Sequence, residues 1–298
     1  MKRYFIILVF AVFVNFIFAQ DDLDALLDGL ESPKIEYVTG AFKSTRLVNL
    51  HTIENVGANT LDFRISHRFG AINGGAYELF GLDQATIRIG LEYGLKDWLM
   101  IGLGRSTYEK TYDGFFKLKI LKQSKGKRLI PISISYFSSV AINSLKWQLP
   151  NRTNYFSSRL AYAHQLLICR KFNSTFSFQL SPTIIHKNLV DKRDDQNTSF
   201  ALGGLGRMKI TKRTTFNMEY IYRLPPKIVT SAYENFYNSF SVGFDIETGG
   251  HVFALHVSNS LPMIEKGFIT ETNRSWLDGG IHFGFNISRE FTFRNTKK

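Results

Sequence analysis

Two neighbouring stretches decide the fold: LDFRISHRF at residues 61–69 and ATIRIGLEY at residues 85–93. In both, apolar residues alternate with polar or small ones, as in Leu61, Phe63 and Ile65 against Asp62 and Arg64. Successive side chains of a β-strand point to opposite faces, so each stretch has one apolar and one polar face. The same pattern recurs up to residue 287, with turns and no amphipathic helix between the runs.

A soluble antiparallel sandwich would also alternate, so three further features favour a membrane barrel. Many runs reach ten residues, the length of a tilted membrane-spanning strand. Aromatic residues make up 14% of the chain, with 27 Phe and 13 Tyr, and many lie near the ends of runs, where aromatic girdles are found. Short spacers alternate with longer ones, as periplasmic turns alternate with external loops. We therefore predict an all-β fold, an antiparallel transmembrane β-barrel in the outer membrane.

The number of strands follows from counting the runs. About twelve begin at residue 61 or later, an even number that leaves both chain ends in the periplasm. The segment at residues 43–53 is expected to be periplasmic or luminal. A single spanning strand there would place the N-terminus outside the cell, and an ambiguity of register leaves a fourteen-stranded barrel as the alternative.

The first residues have the organisation of an export signal. Lys2 and Arg3 precede an apolar stretch at residues 4–18, and Ala19 provides a cleavage site. A membrane anchor is the alternative, which the short stretch and Asn15 disfavour. We predict a signal peptide at residues 1–19, a periplasmic helix and linker at residues 20–57, and the barrel at residues 58–298.

A short amphipathic helix is predicted directly after the signal. It has acidic residues around most of its surface and four leucines on one face, Leu23, Leu26, Leu27 and Leu30. This leucine face is a candidate docking surface for a periplasmic protein partner, or a plug for the lumen. The alternative is a simple N-terminal extension.

The composition narrows the classes of partner. The formal charge is +12 and the pI about 9.6, but Lys and Arg are scattered over turns and polar strand faces, which disfavours nucleic-acid binding. Such charge suits outer-membrane lipids at the rims and a small, anionic solute in the lumen. Cys169 is the only cysteine, so disulfides do not hold the fold together.

Residues 65–123 carry a resemblance to a known family. The matching pieces are SHRFG (66–70), YELFGLD (77–83), IGLEYG (89–94), GRS (104–106) and KTYDG (110–114). They resemble an uncharacterised outer-membrane β-barrel family of Bacteroidetes-type bacteria, defined as a domain of unknown function. The resemblance implies the fold and the location, and it implies no activity.

Four charged residues on the polar face of the first strands form the candidate solute site: Arg64, Arg68, Arg88 and Glu92. Ionised groups in a narrow water-filled pore set its electrostatic barrier, so these could form a selective constriction. Alternatively, they form a structural ladder of Arg and carboxylate side chains that fills the interior.

A second candidate site is a tight external turn. Its residues are Arg105, Glu109, Lys110, Tyr112 and Asp113, which could bind a ligand or simply be solvated. The loop at residues 70–83 is unusually apolar, and we expect it to fold inward or to cover the mouth.

Motifs for catalysis are missing from the sequence. It has no Gly-x-Ser-x-Gly elbow, no His-Glu-x-x-His motif and no Walker loop, and its histidines lack metal-ligand spacing. We expect no enzyme activity, no catalytic residue, no cofactor and no metal site. The predicted function is passive passage or binding of a small solute; the alternatives are a closed structural or adhesion barrel and, less favoured, a hydrolase built on a barrel.

Overall fold

The computed structural model describes residues 34–190, 192–226, 229 and 231–293. The predicted signal peptide and the leucine face of the N-terminal helix lie outside these residues. The described residues form fourteen strands, namely β1 (Ile35–Tyr37), β2 (Thr60–Ala71), β3 (Ala85–Lys96), β4 (Leu99–Ser106), β5 (Tyr112–Leu121), β6 (Ser124–Gly126), β7 (Ser133–Ile142), β8 (Leu160–Lys171), β9 (Phe176–Lys187), β10 (Thr198–Lys209), β11 (Thr214–Arg223), β12 (Ser239–Thr248), β13 (His251–Ser258) and β14 (His282–Thr292). They also form two short α-helices, α1 (Ser231–Glu234) and α2 (Glu265–Thr270), and 3-10 turns at Ile72–Gly74, Ala76–Gly81, Tyr108–Lys110 and Phe156–Arg159.

Twelve of these strands close into one antiparallel barrel. Each barrel strand pairs with the next along the chain, and β14 pairs with β2, where Ile287 lies opposite Ile65. β1 and β6 form a separate two-stranded sheet. The predicted twelve-stranded barrel is confirmed, and within the described residues the segment at 43–53 does not join it as a spanning strand.

The alternation of the sequence becomes the inside and the outside of the barrel. In β2, Asp62, Arg64 and Arg68 are buried in the interior, while Phe63 and Ile65 face outward. Outward-facing aromatic residues lie near both ends of the strands, at Trp98, Phe172, Phe176, Phe291 and Phe293 at one end and at Tyr112, Phe200, Tyr222 and Tyr237 at the other. This apolar exterior with aromatic borders suits contact with a lipid bilayer.

The two ends of the barrel differ in their connections. The short-turn end carries the tight links at residues 97–98, 172–175, 210–213 and 249–250, together with the β1–β6 sheet. The long-loop end carries the links at residues 72–84, 107–111, 143–159, 188–197, 224–238 and 259–281. In the described part of the chain, no helix has the length and the apolar run needed to cross a membrane.

The apolar loop after β2 does not fold inward, contrary to expectation. Tyr77 is 95% exposed, and Leu79 and Phe80 are more than half exposed. The two ends of the loop lie close together, because a Cβ on Gly70 would lie 2.9 Å from the carbonyl oxygen of Gly81. This close approach of two backbones fixes the loop in an outward direction.

The loop that does fold inward is the one between β13 and β14. Its residues Met263, Ile264 and Phe268 are buried inside the barrel, and α2 lies close to β8, β9 and β11. This loop therefore fills the interior from the long-loop end, a position that the sequence did not predict.

Candidate functional site

Residues 41–56, called the plug from here on, lie inside the barrel. Their apolar side chains Phe42, Leu47, Leu50, Ile53 and Val56 are all buried. The segment folds back on itself as a tight hairpin, in which Leu47 N–H donates to the carbonyl of Leu50 at 3.0 Å and Thr52 N–H to that of Thr45 at 2.9 Å. The luminal position considered from the sequence is where the structure places this segment.

Both ends of the plug lie at the short-turn end. Where the chain enters the lumen, Arg207 Nη1 donates to the carbonyl oxygens of Gly40 and Ala41 at 3.1 and 2.9 Å. Where the chain leaves the lumen, Asn59 N–H donates to the carbonyl of Gly94 at 2.8 Å. Gly94 has no room for a β-carbon, because the backbone of residues 56–57 passes directly against it. The plug therefore enters and leaves the lumen through the same opening.

Inward-facing side chains of the strands hold the plug backbone. Gln179 Nε2 donates to the carbonyl of His51 at 2.8 Å. The buried ammonium of Lys117 faces three carbonyl oxygens, those of Thr45, Thr52 and Glu54. Besides its own hairpin bonds, the plug therefore has carbonyls that are satisfied by single side chains of the wall instead of by a strand ladder.

Glu219 of β11 holds the tip of the plug. Its carboxylate accepts hydrogen bonds from the backbone N–H groups of Asn49 at 3.1 Å and Leu50 at 2.9 Å, and from Asn49 Nδ2 at 2.9 Å. Beside it, Gly203 of β10 leaves space for the Leu50 side chain. Three donors on one buried carboxylate make Glu219 the most heavily bonded contact of the tip.

The predicted solute residues Arg64 and Glu92 are part of the same contact. Arg64 Nη2 donates to Asp62 Oδ2 at 3.0 Å and to Thr45 Oγ1 at 2.8 Å. Glu92 accepts a hydrogen bond from Thr45 and lies 3.7 Å from Arg46 Nε and 3.8 Å from Arg64 Nε. In this state they bind the plug and do not border an open channel.

Arg68 joins the plug to the inward loop. Its Nη2 donates to Asn49 Oδ1 at 3.0 Å and lies 3.1 Å from His256 Nε2. Its Nη1 donates to the carbonyl of Ser260. On the plug side, Arg46 Nη1 donates to Glu265 Oε1 of α2 at 2.9 Å. Plug and loop therefore meet in the middle of the lumen through charged groups.

Arg88, the fourth predicted solute residue, is paired with Asp113. The guanidinium donates through Nε and Nη2 to the two carboxylate oxygens, at 2.9 and 2.5 Å. A β-carbon on Gly104 would overlap this guanidinium. The pair is a bidentate, fully buried ion pair within the barrel wall.

The predicted external-turn residues do not form one cluster. Asp113 lies in the lumen with Arg88, as described. Arg105 and Tyr112 face outward, with the guanidinium 5.6 Å from the ring centre. Lys110 is exposed, and only Glu109 reaches the mouth of the barrel. The alternation within β4 and β5 separates side chains that are close in sequence.

The mouth of the barrel at the long-loop end is a cavity of about 780 Å³, called the vestibule. Described residues of the loops after β7, β9 and β11 line its walls, and the end of α2 lines its floor. Six cationic side chains border it, at Lys146, Arg152, Arg159, Lys187, Arg223 and Lys266, against three carboxylates, at Glu109, Asp195 and Glu271. Among the residues that the structure describes, the lining therefore carries an excess of three positive charges.

A chain of ion pairs crosses the floor of the vestibule. Lys266 Nζ lies 2.5 Å from Glu109 and 3.6 Å from Glu271, which lies 3.6 Å from Lys187. Burial raises the pKa of Glu271, and the two lysines only partly oppose this effect. Burial alone would lower the pKa of Lys266, but Glu271 and Glu109 raise it above its ordinary value. Burial also raises the pKa of Tyr108 beside them.

A smaller cavity of about 240 Å³ lies at the short-turn end, between the plug and the wall. Lys43, Asp62, Arg64 and Glu247 are among its lining residues. The plug and the inward loop occupy the space between the two cavities. Among the residues that the structure describes, no group of three His, Cys, Asp or Glu side chains is arranged to hold a metal ion.

Several residues of the site were not predicted. Lys117, Arg207 and Glu219 occupy the same inward positions of the alternating pattern as Arg64 and Arg88, so that pattern could have identified them. Glu265 lies in a loop, where no periodicity points to the lumen.

Two solved structures titled as porins resemble the chain. The KdgM porin has a TM-score of 0.45 and 12% identity, over 79% of this chain and 99% of the other. The NanC porin has a TM-score of 0.48 and 10% identity, over 78% of this chain and 100% of the other. No curated protein matches the sequence.

A family model matches residues 42–291, which include nearly all of the plug and almost the whole barrel. The match confirms the predicted membrane location and the resemblance to an uncharacterised barrel family. The chain belongs to the family described as a membrane bound beta barrel domain (DUF5777).

Proposed function

We propose that this outer-membrane barrel admits a small anionic solute, which collects in the vestibule and passes when the plug moves. The observation that carries the proposal is that the plug enters and leaves the lumen through one opening. A segment placed in this way can withdraw without breaking the closed ladder of twelve strands. By the rule that external loops are longer than periplasmic turns, the plug opens to the periplasm and the vestibule to the outside.

The contacts of the plug support its movement. Side chains such as Lys117, Gln179 and Glu219 hold its backbone. A neutral hydrogen bond such as that of Gln179 contributes about 1 kcal/mol net, and one made by a charged group such as Lys117 or Glu219 about 1.5–3 kcal/mol. Withdrawal would expose the charged and amide groups of the lumen wall together with apolar wall side chains that form one cluster with the plug, such as Phe137, Leu167 and Leu205. Water can solvate the charged and amide groups, so the emptied lumen would have a mixed polar and apolar lining.

The charge preference would be set at the vestibule. In the barrel wall below the vestibule, the buried cations Arg64, Arg68, Arg88, Lys117 and Arg207 are balanced by Asp62, Glu92, Asp113, Glu219 and Asp245. The vestibule keeps its excess of three positive charges. Fixed cations at a mouth concentrate anions there. A transport role without catalysis is part of this proposal.

The second candidate is a closed structural barrel, which the filled lumen favours. In that case the plug is a permanent part of the core, and the loops or the predicted leucine face of residues 23–30 meet partners. Both candidates use the same structure and differ only in whether the plug moves.

Single-channel recording of the refolded mature protein in a planar bilayer tests the proposal. Glu219→Ala removes the acceptor for three donors at the plug tip, and Met218→Ala is the matched control on the outward face of the same strand. We expect rare openings in the wild type and in the control, and frequent, anion-favouring openings in Glu219→Ala.

Insertion is verified by the heat-dependent shift of the barrel on gels. If Glu219→Ala does not insert, Gln179→Ala loosens the plug at another contact. Verified insertion without openings in any variant would refute passage and leave the closed barrel.

A further inference from the structure

We infer that the vestibule binds a small saccharide that carries a carboxylate, and that Arg159 is the residue that anchors the carboxylate. The inference rests on the proposed function, which assigns the vestibule to the outer face of the membrane. It deepens that function by naming a class of solute.

Arg159 is held in position before any ligand arrives. It closes the 3-10 turn Phe156–Arg159, directly before β8, so its backbone sits on a rigid strand end. Nη1 donates to the carbonyl oxygens of Asn143 at 2.7 Å and Leu145 at 2.6 Å. The guanidinium carbon lies 3.8 Å from the ring centre of Trp147. Two carbonyls and one aromatic face thus fix the plane of the guanidinium.

The remaining donors of Arg159 have no recorded partner. A guanidinium has five N–H donors, and the two recorded hydrogen bonds use only Nη1. Nε and Nη2 meet no acceptor among the described residues, and Arg159 borders the cavity. The edge formed by Nε and Nη2 matches the two oxygens of a carboxylate. Because the side chain is already ordered, binding would cost little conformational entropy.

The walls suit a ligand with many hydroxyl groups. Uncharged hydrogen-bonding side chains border the cavity at Asn143, Gln148, Thr153, Asn154, Ser158, Gln196, Thr198, Ser199 and Asn273. Aromatic rings border it as well, with Tyr155 two-thirds exposed and Tyr233 and Phe236 on the opposite loop. Its volume of about 780 Å³ lies in the range of about 300–1,000 Å³ that is usual for small-molecule sites.

The charges of the vestibule are not all free to meet a ligand. Lys187 and Lys266 are engaged by Glu271 and Glu109. Arg223 donates to the carbonyls of Thr270 and Tyr233. Neither Arg159 nor Arg223 takes part in a salt bridge of the described residues, but both Nη atoms of Arg223 donate to carbonyls, whereas in Arg159 only Nη1 does. Arg159 is therefore the ordered guanidinium whose Nε–Nη2 edge has no partner among those residues. A ligand carboxylate would supply that missing partner.

Titration of the refolded full chain in detergent micelles tests the inference. Trp147, which lies against Arg159, supplies a fluorescence signal, and calorimetry measures the same equilibrium independently. The probes are glucuronate, glucose as the neutral ring, and acetate as the carboxylate alone. We expect saturable binding of glucuronate, with glucose and acetate each at least about tenfold weaker.

Two variants separate the anchor from the general charge. Arg159→Gln is expected to weaken glucuronate binding about tenfold or more. Arg152→Gln removes one positive charge of the lining from a side chain that is neither stacked nor hydrogen-bonded. This variant is expected to change binding less than about threefold. Equal weakening by both variants would overturn the role of Arg159. Glucuronate binding no tighter than that of acetate would overturn the saccharide.

The outcome is distinguishable from that of the channel experiment. Absence of glucuronate binding together with anion-favouring openings in Glu219→Ala would overturn the ligand class alone. Specific glucuronate binding with no openings in any variant would refute passage and establish a receptor on a closed barrel.

Discussion

Leu50 of the plug occupies the space that a β-carbon on Gly203 would require: an atom built there lies 2.5 Å from Leu50 Cδ1. Gly203 faces the lumen in the middle of β10, where glycine weakens a strand and usually marks a close approach. The neighbouring Gly204 faces outward, and a β-carbon there would meet Phe178 at an ordinary 3.7 Å. Adjacent glycines therefore have different structural roles.

Gly203→Val is expected to displace the plug tip. Overpacking of a filled interior costs about 1–3 kcal/mol, and the hairpin can relieve it by moving away from β10. The measurement is the frequency of channel openings, which should rise in Gly203→Val and stay at the wild-type level in Gly204→Val. Equal behaviour of the two variants would show that Leu50 does not depend on the space at Gly203.

Arg88→Glu is expected to destabilise the barrel before it affects any selectivity. The substitution places two carboxylates together where a buried bidentate pair stood, and breaking a buried pair typically costs about 3–5 kcal/mol. Denaturant unfolding of the refolded barrel measures the loss. Arg88→Met combined with Asp113→Leu should recover most of the stability, because no charge is then buried alone. Arg105→Glu, at an outward position, should change little; wild-type stability of Arg88→Glu would contradict this assignment.

Lys117→Met is expected to loosen the plug along its length. Loss of the ammonium leaves plug carbonyls without their donor, at about 1–3 kcal/mol for each buried group that stays unsatisfied. Limited trypsin digestion should then cleave after Lys43 and Arg46 faster than in the wild type. Lys119→Met, two residues along the same strand and without such contacts, is the control. Unchanged cleavage in Lys117→Met would mean that the remaining contacts hold the plug.

Anion preference is expected to rise as the pH is lowered. Burial raises the pKa of Glu271 above its ordinary value of 4.5, so this carboxylate becomes neutral at a higher pH than an exposed one. Its neutralisation adds one net positive charge to a vestibule already bordered by Lys187 and Lys266. Reversal potentials of the Glu219→Ala channel in a KCl gradient, measured from pH 7.5 to 5, report the change. The step should be absent when Glu271→Gln is added, and its persistence there would assign the titration to another group.

The sequence predicted which face of each strand points into the lumen. Arg64, Arg68, Arg88 and Glu92 are inside because alternation with period two leaves only one register that hides charges and exposes apolar groups to lipid. The same rule explains why Asp113, expected at an external turn with Tyr112, lies in the lumen instead. One residue of displacement along a strand moves a side chain to the opposite face.

The loops were harder to predict, because their composition does not decide their direction. The apolar loop at residues 70–83 points outward, where the close approach of Gly70 and Gly81 holds it. The loop at residues 259–281 folds inward, because Arg68 donates a hydrogen bond to the carbonyl of Ser260 and Arg46 donates one to the carboxylate of Glu265. These partners are about 190 to 220 residues apart in the chain, so no local pattern reports them.

The sequence by itself determined the membrane barrel and the inward position of its charges, because lipid contact and backbone pairing act on every strand through its own local pattern. Only the tertiary structure decided that the barrel has twelve strands and not fourteen, that Glu92, Lys117 and Glu219 hold a plug, and that Arg159 is stacked on Trp147 at the mouth. Such contacts depend on the closure of the barrel, which brings side chains from distant strands around one lumen and leaves their charges to be satisfied by whichever segment fills it.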